Sequence, residues 1–360
     1  MYALSMQVIF DDIGSYPLPP GVTKEWVDET ISRNDKDSKL YAVMQEAMQH
    51  KLLAGVDVPT YPQFQDMNHQ FLRYITDEAA VDEPYLVSEN HARIIELDAI
   101  LPTARKYFDE HGSRMPLRVC VTGPLELYLH EFGATDYVDV YQALARSVDR
   151  FVGKAIDASP FFQVKTISID EPSIGINPQI MFEEEEMIKA LTIASLAAAS
   201  HGIDVQIHLH SPLYYHIACQ TPGINVIGVE SAANPQYLKL IDKKILEDTD
   251  SFLRVGVART DIFSLTAVLN EKYNTNVWKD SERIEDVIID METSDVIAKR
   301  LEAAYNIFGE RIRYAGPDCG LGSWPTQEMA QELLKNTRKG IDKFLGPVFT
   351  RAQYPFPGDS

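Results

Sequence analysis

Hydrophobic and polar positions along the chain follow two alternating periods. Short runs rich in valine and isoleucine, several of them ending in glycine, proline or a polar residue, are typical of buried β-strands. Longer stretches between them carry apolar residues at three-to-four spacing, which predicts helices with one buried face. The strand-like runs cover residues 7–14, 56–60, 117–122, 165–170, 204–210, 225–230, 253–257 and 311–315. The helical stretches cover residues 38–54, 91–111, 137–158, 183–201, 295–308 and 326–344.

This alternation of strand and helix predicts a parallel sheet covered by helices. Eight repeats within 360 residues fit a closed (β/α)8 TIM barrel, so residues 1–360 are predicted to form a single α/β domain. An open, doubly wound sheet is the alternative for the same alternation. The polar stretch 271–286 interrupts the pattern and is predicted to be an insertion.

Charge and cysteine content narrow the function classes. The chain has 33 lysines and arginines against 53 aspartates and glutamates, a formal net charge of −20. Such a chain repels phosphate backbones and anionic lipid, so we predict neither nucleic acid nor a membrane as a partner. Three cysteines, an odd and sparse set, indicate a reducing compartment rather than disulfides. The chain shows no basic leader and no apolar run of membrane length, which predicts a cytoplasmic protein.

Metal-capable side chains stand where several predicted strands end. In a barrel of this type, the C-terminal strand ends and the loops after them carry the function. Alternation along residues 204–210 directs the apolar side chains outward and His210 inward, and the same argument directs Asp170 and Glu230 inward. Burying two carboxylates and an imidazole together is costly unless a cation or a ligand compensates.

A cysteine joins this set. Cys319 lies in a Gly-Pro-Asp-Cys-Gly turn just after the last predicted strand. Together with His210 and Glu230 it forms a ligand set that suits zinc, and a catalytic zinc commonly has three protein ligands and one open position. Each of these residues alone is more commonly structural, and their convergence from three strand ends is what favours a metal site. His208, on the same strand face as His210, is predicted to support the site by a hydrogen bond.

Seven short motifs, in order along the chain, carry a family resemblance. They are Ile13-Gly14-Ser15-Tyr16-Pro17, Gly55-Val56-Asp57-Val58 with Asp66-Met67, Thr122-Gly123-Pro124, Ile169-Asp170-Glu171-Pro172, Ile207-His208-Leu209-His210, Glu230-Ser231, and Pro317-Asp318-Cys319-Gly320-Leu321 with Trp324-Pro325. By these motifs the chain resembles, over nearly its whole length, the C-terminal catalytic domain of cobalamin-independent methionine synthase, within the uroporphyrinogen-decarboxylase-like group. The resemblance implies a methyltransferase that methylates a zinc-activated thiol, homocysteine, to give methionine.

The resemblance also implies a ligand set for the zinc. The family holds its ion with His, Cys, Glu and Cys, and His210, Glu230 and Cys319 match three of these positions. The fourth position is Pro212, which cannot ligate. Three protein ligands with water, a substitute ligand, and weak or absent metal binding therefore stay open. The substitutes are His208, His216 and Asp318.

Substrate contacts follow from the same resemblance. Ser15 and Ile13 match the hydroxyl and backbone contacts of the family to homocysteine, and Asp170 matches one of two acids that bind its amino group. The position of the second acid carries Gln63 here. The substrate-binding residues implied for this chain are thus Ile13, Ser15, Gln63 and Asp170.

The chain departs from the family mainly in the half of the site that binds folate. The tryptophan that packs on the folate donor aligns with about His130, and the family's proton-donating histidine aligns with Phe263, although Asp261 just before it is kept. Asp261 and Asp170 are therefore the implied catalytic acids. The chain is similar to the short single-barrel archaeal and bacterial forms, whose methyl donor is a methylated corrinoid, often protein-bound. A corrinoid and a folate both stay open as donors.

Other functions also stay open. A methyltransferase acting on another small thiol is favoured by Gln63, because a thiol without an amine needs fewer acids. A non-catalytic barrel that has lost a metal ligand is favoured by Pro212. A decarboxylase is disfavoured, since it needs a basic lining for carboxylate substrates and the predicted rim is acidic.

Overall fold

Helices separate most of the strands along the chain, as the pattern predicts. The computed structural model describes residues 8–33 and 36–346, so Gln7 of the first predicted strand and the ends of the predicted domain lie outside the described residues. The strands are β1 (Ile9–Phe10), β2 (Val81–Glu83), β3 (Leu86–Val87), β4 (Met115–Thr122), β5 (Phe162–Asp170), β6 (Asp204–Leu209), β7 (Val226–Val229), β8 (Phe252–Ala258) and β9 (Ile312–Pro317). The helices are α1 (Lys24–Arg33), α2 (Ser38–Leu53), α3 (His69–Ile75), α4 (Ile95–Ala99), α5 (Leu101–His111), α6 (Pro124–Phe132), α7 (Val138–Ile156), α8 (Glu184–Ala194), α9 (Leu196–Ser200), α10 (Tyr215–Cys219), α11 (Lys243–Asp248), α12 (Ile262–Tyr273), α13 (Ser281–Ile284), α14 (Ser294–Phe308) and α15 (Gln327–Leu345).

Within these ranges, seven strands form one sheet in the order β1-β9-β8-β7-β6-β5-β4. Each adjacent pair in it is parallel, whereas β2 and β3 form a separate antiparallel pair. Parallel neighbours need crossover connections, which the helices supply. The predicted α/β architecture with a parallel sheet is therefore confirmed. Among the described helices, none combines the length and the apolar character required to cross a bilayer.

The predicted strand at 56–60 takes an irregular form beside the two edge strands of the sheet. The parallel bridges of this segment join Asp11 to Val58, Ser15 to Gln63 and Thr60 to Arg118. One segment thus contacts both the β1 end and the β4 end of the sheet. Pro59 and Pro62 lack the N–H that a regular ladder needs, which explains the isolated bridges. Thr60 compensates, because its N–H and its hydroxyl donate to Asp12 Oδ1 and Asp12 O at 2.7 and 2.6 Å.

Side chains that alternate along the strands reach two different cores. Ile167, Val205 and Ile227 are buried with the apolar faces of the surrounding helices. A separate small cluster lies near the N-terminal ends of the strands and consists of Ile9, Val58, Val226 and Tyr314. The polar residues between that cluster and the strand ends therefore share an interior position, which matters for the site described below.

Two predicted helices are each interrupted once. The stretch 91–111 contains α4 and α5, because Pro102 in the first turn of α5 has no N–H with which to continue α4. The stretch 183–201 contains α8 and α9. At this second break the Ser195 hydroxyl donates to Thr192 O at 3.1 Å, a side-chain bond that competes with the helical pattern.

The predicted insertion at 271–286 is helical and packs on α12. Trp278 stacks on Phe263 with ring centroids 5.4 Å apart, and its Nε1 donates to Thr266 Oγ1 at 3.1 Å. The β2–β3 pair was not predicted, because strands of three and two residues are too short to show an alternating pattern.

Candidate metal centre

The predicted metal ligands stand at the rim formed by the C-terminal ends of β6, β7 and β9. His210 directly follows β6, Glu230 directly follows β7, and Cys319 lies just past β9. Neighbouring parallel strands end at the same edge of a sheet, so residues distant in sequence meet there. Ile207 and Leu209 are buried in the outer core, and the alternating polar side chains of the same strand face the interior, as predicted.

Four ligand atoms converge at this rim. The side chains of His208, His210, Glu230 and Cys319 each offer one atom, and these atoms lie within 4.8 Å of one another. Cys319 Sγ is 3.7 Å from His208 Nε2 and 3.9 Å from His210 Nε2. Glu230 Oε1 is 3.7 Å from His208 Nε2 and 3.5 Å from His210 Nε2. Tetrahedral zinc with bonds of about 2.0–2.3 Å separates its ligand atoms by about 3.3–3.8 Å, so the spacing suits such an ion.

His208 belongs to the ligand group by its geometry. Its Nε2 approaches Cys319 and Glu230 as closely as that of His210 does. The sequence contains the signal for this placement, because two residues separate the histidines on one strand and alternation returns both to the same face. Sequence reasoning nevertheless treated His208 first as a supporting group, since alternation gives the face of a strand and not the distance to a neighbouring loop.

The fourth ligand position implied by the family resemblance is Pro212, and its side chain offers no ligand atom. Pro212 is buried at the start of a short turn, Pro212–Tyr214. His216, one of the predicted substitutes, is instead engaged with an acid, because its Nε2 lies 3.1 Å from Glu184 Oε2.

Asp318, the other predicted substitute, connects two loops of the rim. Its carboxylate oxygens accept the N–H groups of Ala232 and Ala233 at 2.8 and 2.7 Å. These bonds tie the loop that carries Cys319 to the loop that follows Glu230. Asp318 thereby sets the distance between two of the ligand atoms instead of supplying one.

Burial shifts the pKa of every group in the cluster toward the uncharged form. Desolvation raises the pKa of Glu230 to about 8 and that of Cys319 to about 12, and it lowers the pKa of His208 and His210. Nearby negative charge adds to the first two shifts. Glu230 Oε1 is also buried without a hydrogen-bond partner in the described part of the chain. A bound divalent cation compensates such groups, and an N, O and S donor set suits zinc, so these residues fit the predicted ion.

Asp170 lies at the end of β5, close enough to act on the cluster. It is buried, and its Oδ1 accepts the Ser168 hydroxyl at 2.6 Å. Desolvation raises its pKa to about 6 against the opposing charge of Arg118. Its own charge contributes to the raised pKa of Cys319, so the predicted substrate-binding acid and the ligand group share one electrostatic environment.

The first motif reaches the same rim through its backbone. Ser15 pairs with Gln63 in a parallel bridge. The Ser15 carbonyl accepts the N–H of Leu321 at 2.8 Å, and its hydroxyl accepts that of Gly322 at 3.3 Å. Ser15 and Gln63 therefore adjoin the loop that follows Cys319, and Ile13 is buried two residues earlier.

Asp261 stands outside the ligand group. Its carboxylate accepts two hydrogen bonds from Arg259, at 2.9 Å from Nε and at 2.6 Å from Nη2. Its charge still contributes to the raised pKa of Glu230. Phe263, two residues later, is 68% exposed, so the position of the family's histidine carries an apolar surface.

One rim residue was missed by the sequence analysis. Glu126 lies in the first turn of α6, and its carboxylate accepts hydrogen bonds from Asn68 Nδ2 at 3.3 Å and from the Ser173 hydroxyl. Its charge opposes the effect of burial on the pKa of His210. The available signal was an acid just after the end of β4. Acids in the first turn of a helix are common because they favour the helix dipole, so that signal is weak.

Comparisons with known proteins bear on the fold. No family model matches the chain, and no curated protein matches it. The solved structure of a B12-independent methionine synthase from Shewanella sp. W3-18-1, in complex with selenomethionine, matches with a TM-score of 0.58 and 12% identity, covering 93% of this chain and 96% of that one. A protein from Listeria monocytogenes, named for the same enzyme, matches with a TM-score of 0.56 and 14% identity, covering 94% of this chain and 99% of that one. The chain therefore shares the fold of cobalamin-independent methionine synthase-type proteins, and the resemblance predicted from its motifs is confirmed at that level.

Proposed function

We propose that this chain is a methyltransferase that transfers a methyl group to the sulfur of homocysteine to give methionine. The observation that carries the proposal is the convergence of His208, His210, Glu230 and Cys319 at the strand-end rim. The fold supports it, because two solved proteins with this fold are named as methionine synthases and one of them holds selenomethionine, an analogue of the proposed product.

The proposal includes a single catalytic domain over residues 1–360. In it, the segment around 58–63 takes the place of an eighth strand and closes the sheet into a (β/α)8 barrel. The isolated bridges from this segment to both edges of the sheet support that closure.

The metal part of the proposal assigns zinc to His210, Glu230 and Cys319, with His208 as the fourth group. His208 stands in for the ligand that Pro212 cannot supply. When bound, zinc would stabilise a thiolate at neutral pH, where a free thiol is mostly protonated and a poor nucleophile. Asp318 would keep Cys319 and Glu230 at a constant separation through its bonds to the neighbouring backbone.

The remaining residues would bind and orient the substrate. Asp170 would accept hydrogen bonds from the ammonium group of homocysteine, because it is a buried carboxylate beside the ligand group. Ser15 and Ile13 would present hydroxyl and backbone groups to the carboxylate of homocysteine, with Gln63 alongside. Asp261 would act through charge, since Arg259 occupies its carboxylate.

The reaction itself is a displacement at carbon. The thiol releases its proton to solvent water, its sulfur forms the new bond to the methyl carbon, and the donor keeps the electron pair of the bond to that carbon, which breaks. We expect a methylated corrinoid as the donor. Phe263 and His130 are both exposed. They stand at two positions where the resemblance implies residues of the folate half of the site, and neither matches the residue of the family.

Metal analysis followed by a donor comparison tests the proposal. Purified protein supplied with zinc should hold about one equivalent, and it should form methionine from homocysteine and methylcobalamin. Methyl-tetrahydrofolate serves as the second donor, and turnover with folate alone would overturn the corrinoid assignment. Less than about a tenth of an equivalent of zinc, with no gain on adding it, would remove the zinc-thiolate chemistry.

A methyltransferase acting on another small thiol is the second candidate. Gln63 favours it, because an uncharged side chain stands where the family has an acid. The non-catalytic alternative rested on Pro212 and loses its main support once His208 is counted among the ligand atoms. Replacing homocysteine by a thiol without an amine distinguishes the two methyltransferases.

A further inference from the structure

Arg254 carries buried hydrogen-bond donors that the chain itself does not use. The residue lies within β8 and is fully buried. Its Nε donates to Asp11 Oδ1 at 2.8 Å, whereas Nη1 and Nη2 have no hydrogen-bond partner in the described part of the chain. Each of these two nitrogens carries two N–H groups. A buried guanidinium with unpaired N–H groups is costly, because it has lost water without gaining acceptors.

The register of the sheet places a second unpaired donor in the same row. His208 of β6 is the register partner of Gly228 of β7, and Gly228 is the register partner of Arg254. His208 is also buried, and its Nδ1 has no hydrogen-bond partner among the described residues. A neutral imidazole donates from one nitrogen and accepts at the other. When Nε2 offers its lone pair to the ligand group, Nδ1 carries the hydrogen.

Glycines on both sides of β8 bring backbone, and no side chain, to this row. Neighbouring strands are about 4.8 Å apart, so the backbones at His208 and Arg254 are roughly 10 Å apart with Gly228 between them. A Cβ at Gly228 would meet His208 Nδ1 at 3.6 Å, so that nitrogen borders the position beside the glycine. On β9, a Cβ at Gly316 would meet Arg254 Nη2 at 2.7 Å. The guanidinium thus lies over one glycine and faces the interior beside the other.

The charge of the surrounding side chains favours a negative ligand. Arg254 Nε lies 2.8 Å from Asp11 Oδ1, and Arg118 Nε lies 3.7 Å from Asp11 Oδ2, so two guanidinium groups share one carboxylate. Lys51 pairs separately with Asp12 at 2.7 Å. Three cations therefore contact two carboxylates, and a further negative charge beside Arg254 would be stabilised.

The remaining acceptors nearby do not satisfy Arg254. Gln206 Nε2 donates to Asp11 Oδ2 at 2.9 Å, which leaves Gln206 Oε1 as an unpaired acceptor in the described ranges. Asp170 of β5 accepts the Ser168 hydroxyl at 2.6 Å, and no ion pair joins it to Arg254 within those ranges. Unpaired donors thus outnumber unpaired acceptors. A buried water must place two hydrogens of its own, whereas an anion only accepts, so the excess of donors favours an anion.

We propose that the interior of the sheet binds one small inorganic anion of halide size beside Gly228. It accepts hydrogen bonds from the Nη groups of Arg254 and from His208 Nδ1. Chloride has this chemistry, because it carries one negative charge, accepts from several directions and has no donors to place. The site lies behind the ligand group and does not depend on methyl transfer, so it goes beyond the proposed function.

Bromide locates the anion directly. Crystals of the metal-free protein, grown without chloride, are soaked in bromide, whose anomalous scattering distinguishes it from water. The metal-free protein is used because a halide also binds zinc. We expect one anomalous peak in contact with Arg254 and His208.

The dependence of unfolding on chloride tests binding in solution. Urea denaturation of the metal-free protein is measured at constant ionic strength, with chloride exchanged for gluconate, an anion too large for a position the size of one side chain. Stability should rise with chloride and follow binding at a single site. At ten times its dissociation constant, chloride should lower the unfolding equilibrium constant about elevenfold.

Two glycine variants separate this site from a general salt effect. Gly228→Ala places a methyl group beside His208 Nδ1, and its Cβ lies 3.0 Å from Ile207 O, so the strand must shift slightly. We expect it to lose both the bromide peak and the chloride dependence. Gly153→Ala on α7 is the matched control, because its Cβ makes an ordinary contact with Ala197 at 3.7 Å. It should retain both.

The outcomes decide the proposal even if Gly228→Ala does not fold. No peak at Arg254 in the unaltered protein, or a water there without anomalous signal, would overturn the site. A peak without any chloride dependence would mean binding at crystal concentration only and would overturn it as well. An equal chloride dependence in Gly228→Ala would assign the effect to another place. Each of these results leaves the methyltransferase proposal intact, since zinc content and methyl transfer test that separately.

Discussion

Two neighbouring layers of side chains on the interior face of the sheet bury ionisable groups, and they differ in whether the chain itself supplies a cation to pair with them. The lower layer contains Asp11, Asp12, Lys51, Arg118 and Arg254, all of them buried. Lys51 Nζ lies 2.7 Å from Asp12 Oδ2, and Arg254 Nε lies 2.8 Å from Asp11 Oδ1. Arg118 Nε adds a longer contact of 3.7 Å to Asp11 Oδ2. Each carboxylate of this layer therefore has a protein cation beside it.

The rim layer, at the C-terminal ends of the strands, has one acid among its four ligand groups and no lysine or arginine among them. Its members are His208, His210, Glu230 and Cys319, and burial shifts the pKa of each toward the uncharged form. Residues two apart on one strand, such as Gln206 and His208, belong to the two different layers. The difference teaches that the carboxylates of the lower layer are paired with cations of the chain itself, whereas the ligand atoms of the rim have the arrangement that the proposed zinc ion would compensate.

The largest expected effect comes from breaking the lower layer. Lys51→Met would leave Asp12 buried without its cation and would remove the donor to the carbonyls of Gly14 and Thr60. We expect the free energy of unfolding to fall by about 3–5 kcal/mol, measured by urea denaturation of the metal-free protein. Lys343→Met, which breaks an exposed pair with Asp295, should cost less than about 1 kcal/mol. Equal losses in the two variants would contradict the comparison.

Glu96 is a buried acid outside both layers, and it tests the effect of burying an acid without a cation through the pH dependence of the free energy of unfolding. Glu96 accepts hydrogen bonds from the amides of Gln65 and Gln70, and burial raises its pKa from 4.5 to about 7. Between these values the folded state keeps a proton that the unfolded state has lost, so stability falls as pH rises. The loss over this window should be roughly 3 kcal/mol and should level off above the folded pKa.

Glu96→Gln should remove that slope, because glutamine does not titrate. The measurement is the difference in unfolding free energy between wild type and variant at a series of pH values across the window. Glu110→Gln, at an exposed position on α5, should give a pH profile parallel to that of wild type. A profile for Glu96→Gln that also runs parallel to wild type would contradict the assignment.

The smallest expected effect on the free energy of unfolding comes from replacing a residue of the rim. Cys319→Ala should weaken zinc binding by at least about a hundredfold. This is the upper end of the loss in metal affinity expected when a residue that only supports a ligand is replaced. The metal-free stability should change by less than about 1 kcal/mol, because no charged pair is broken. Zinc content by elemental analysis and methyl transfer should fall together. Cys219→Ala, a buried cysteine of α10 remote from the ligand group, should retain zinc, and retained zinc in Cys319→Ala would remove Cys319 from the ligand set.

Alternation along the strands predicted part of the site without any family pattern. His210, Glu230 and Asp170 face the interior because side chains on a strand alternate with a period of two, and this holds for any parallel sheet. The family pattern pointed to Pro212 as a missing ligand, and it offered no preference among His208, His216 and Asp318 as a replacement. Hydrogen bonds and ion pairs favour His208 among them, since Asp318 and His216 are both engaged elsewhere.

The irregular segment at 56–63 shows where pattern analysis failed for the fold. Its composition predicts a strand at 56–60, yet two prolines leave it with isolated bridges to the sheet edges. Strand propensity describes residues singly, whereas a ladder requires an N–H at particular positions opposite a neighbour.

By itself, the sequence determined the α/β class, the strands that end at the rim and the directions of their polar side chains. These depend on local periodicity, which neighbouring residues specify alone. Only the tertiary structure decided that His208 joins the ligand group and that Glu126 lies between Asn68 and Ser173. Those placements depend on distances between separate strands and loops, which are set by the register of the sheet and by ties such as that of Asp318 to Ala232.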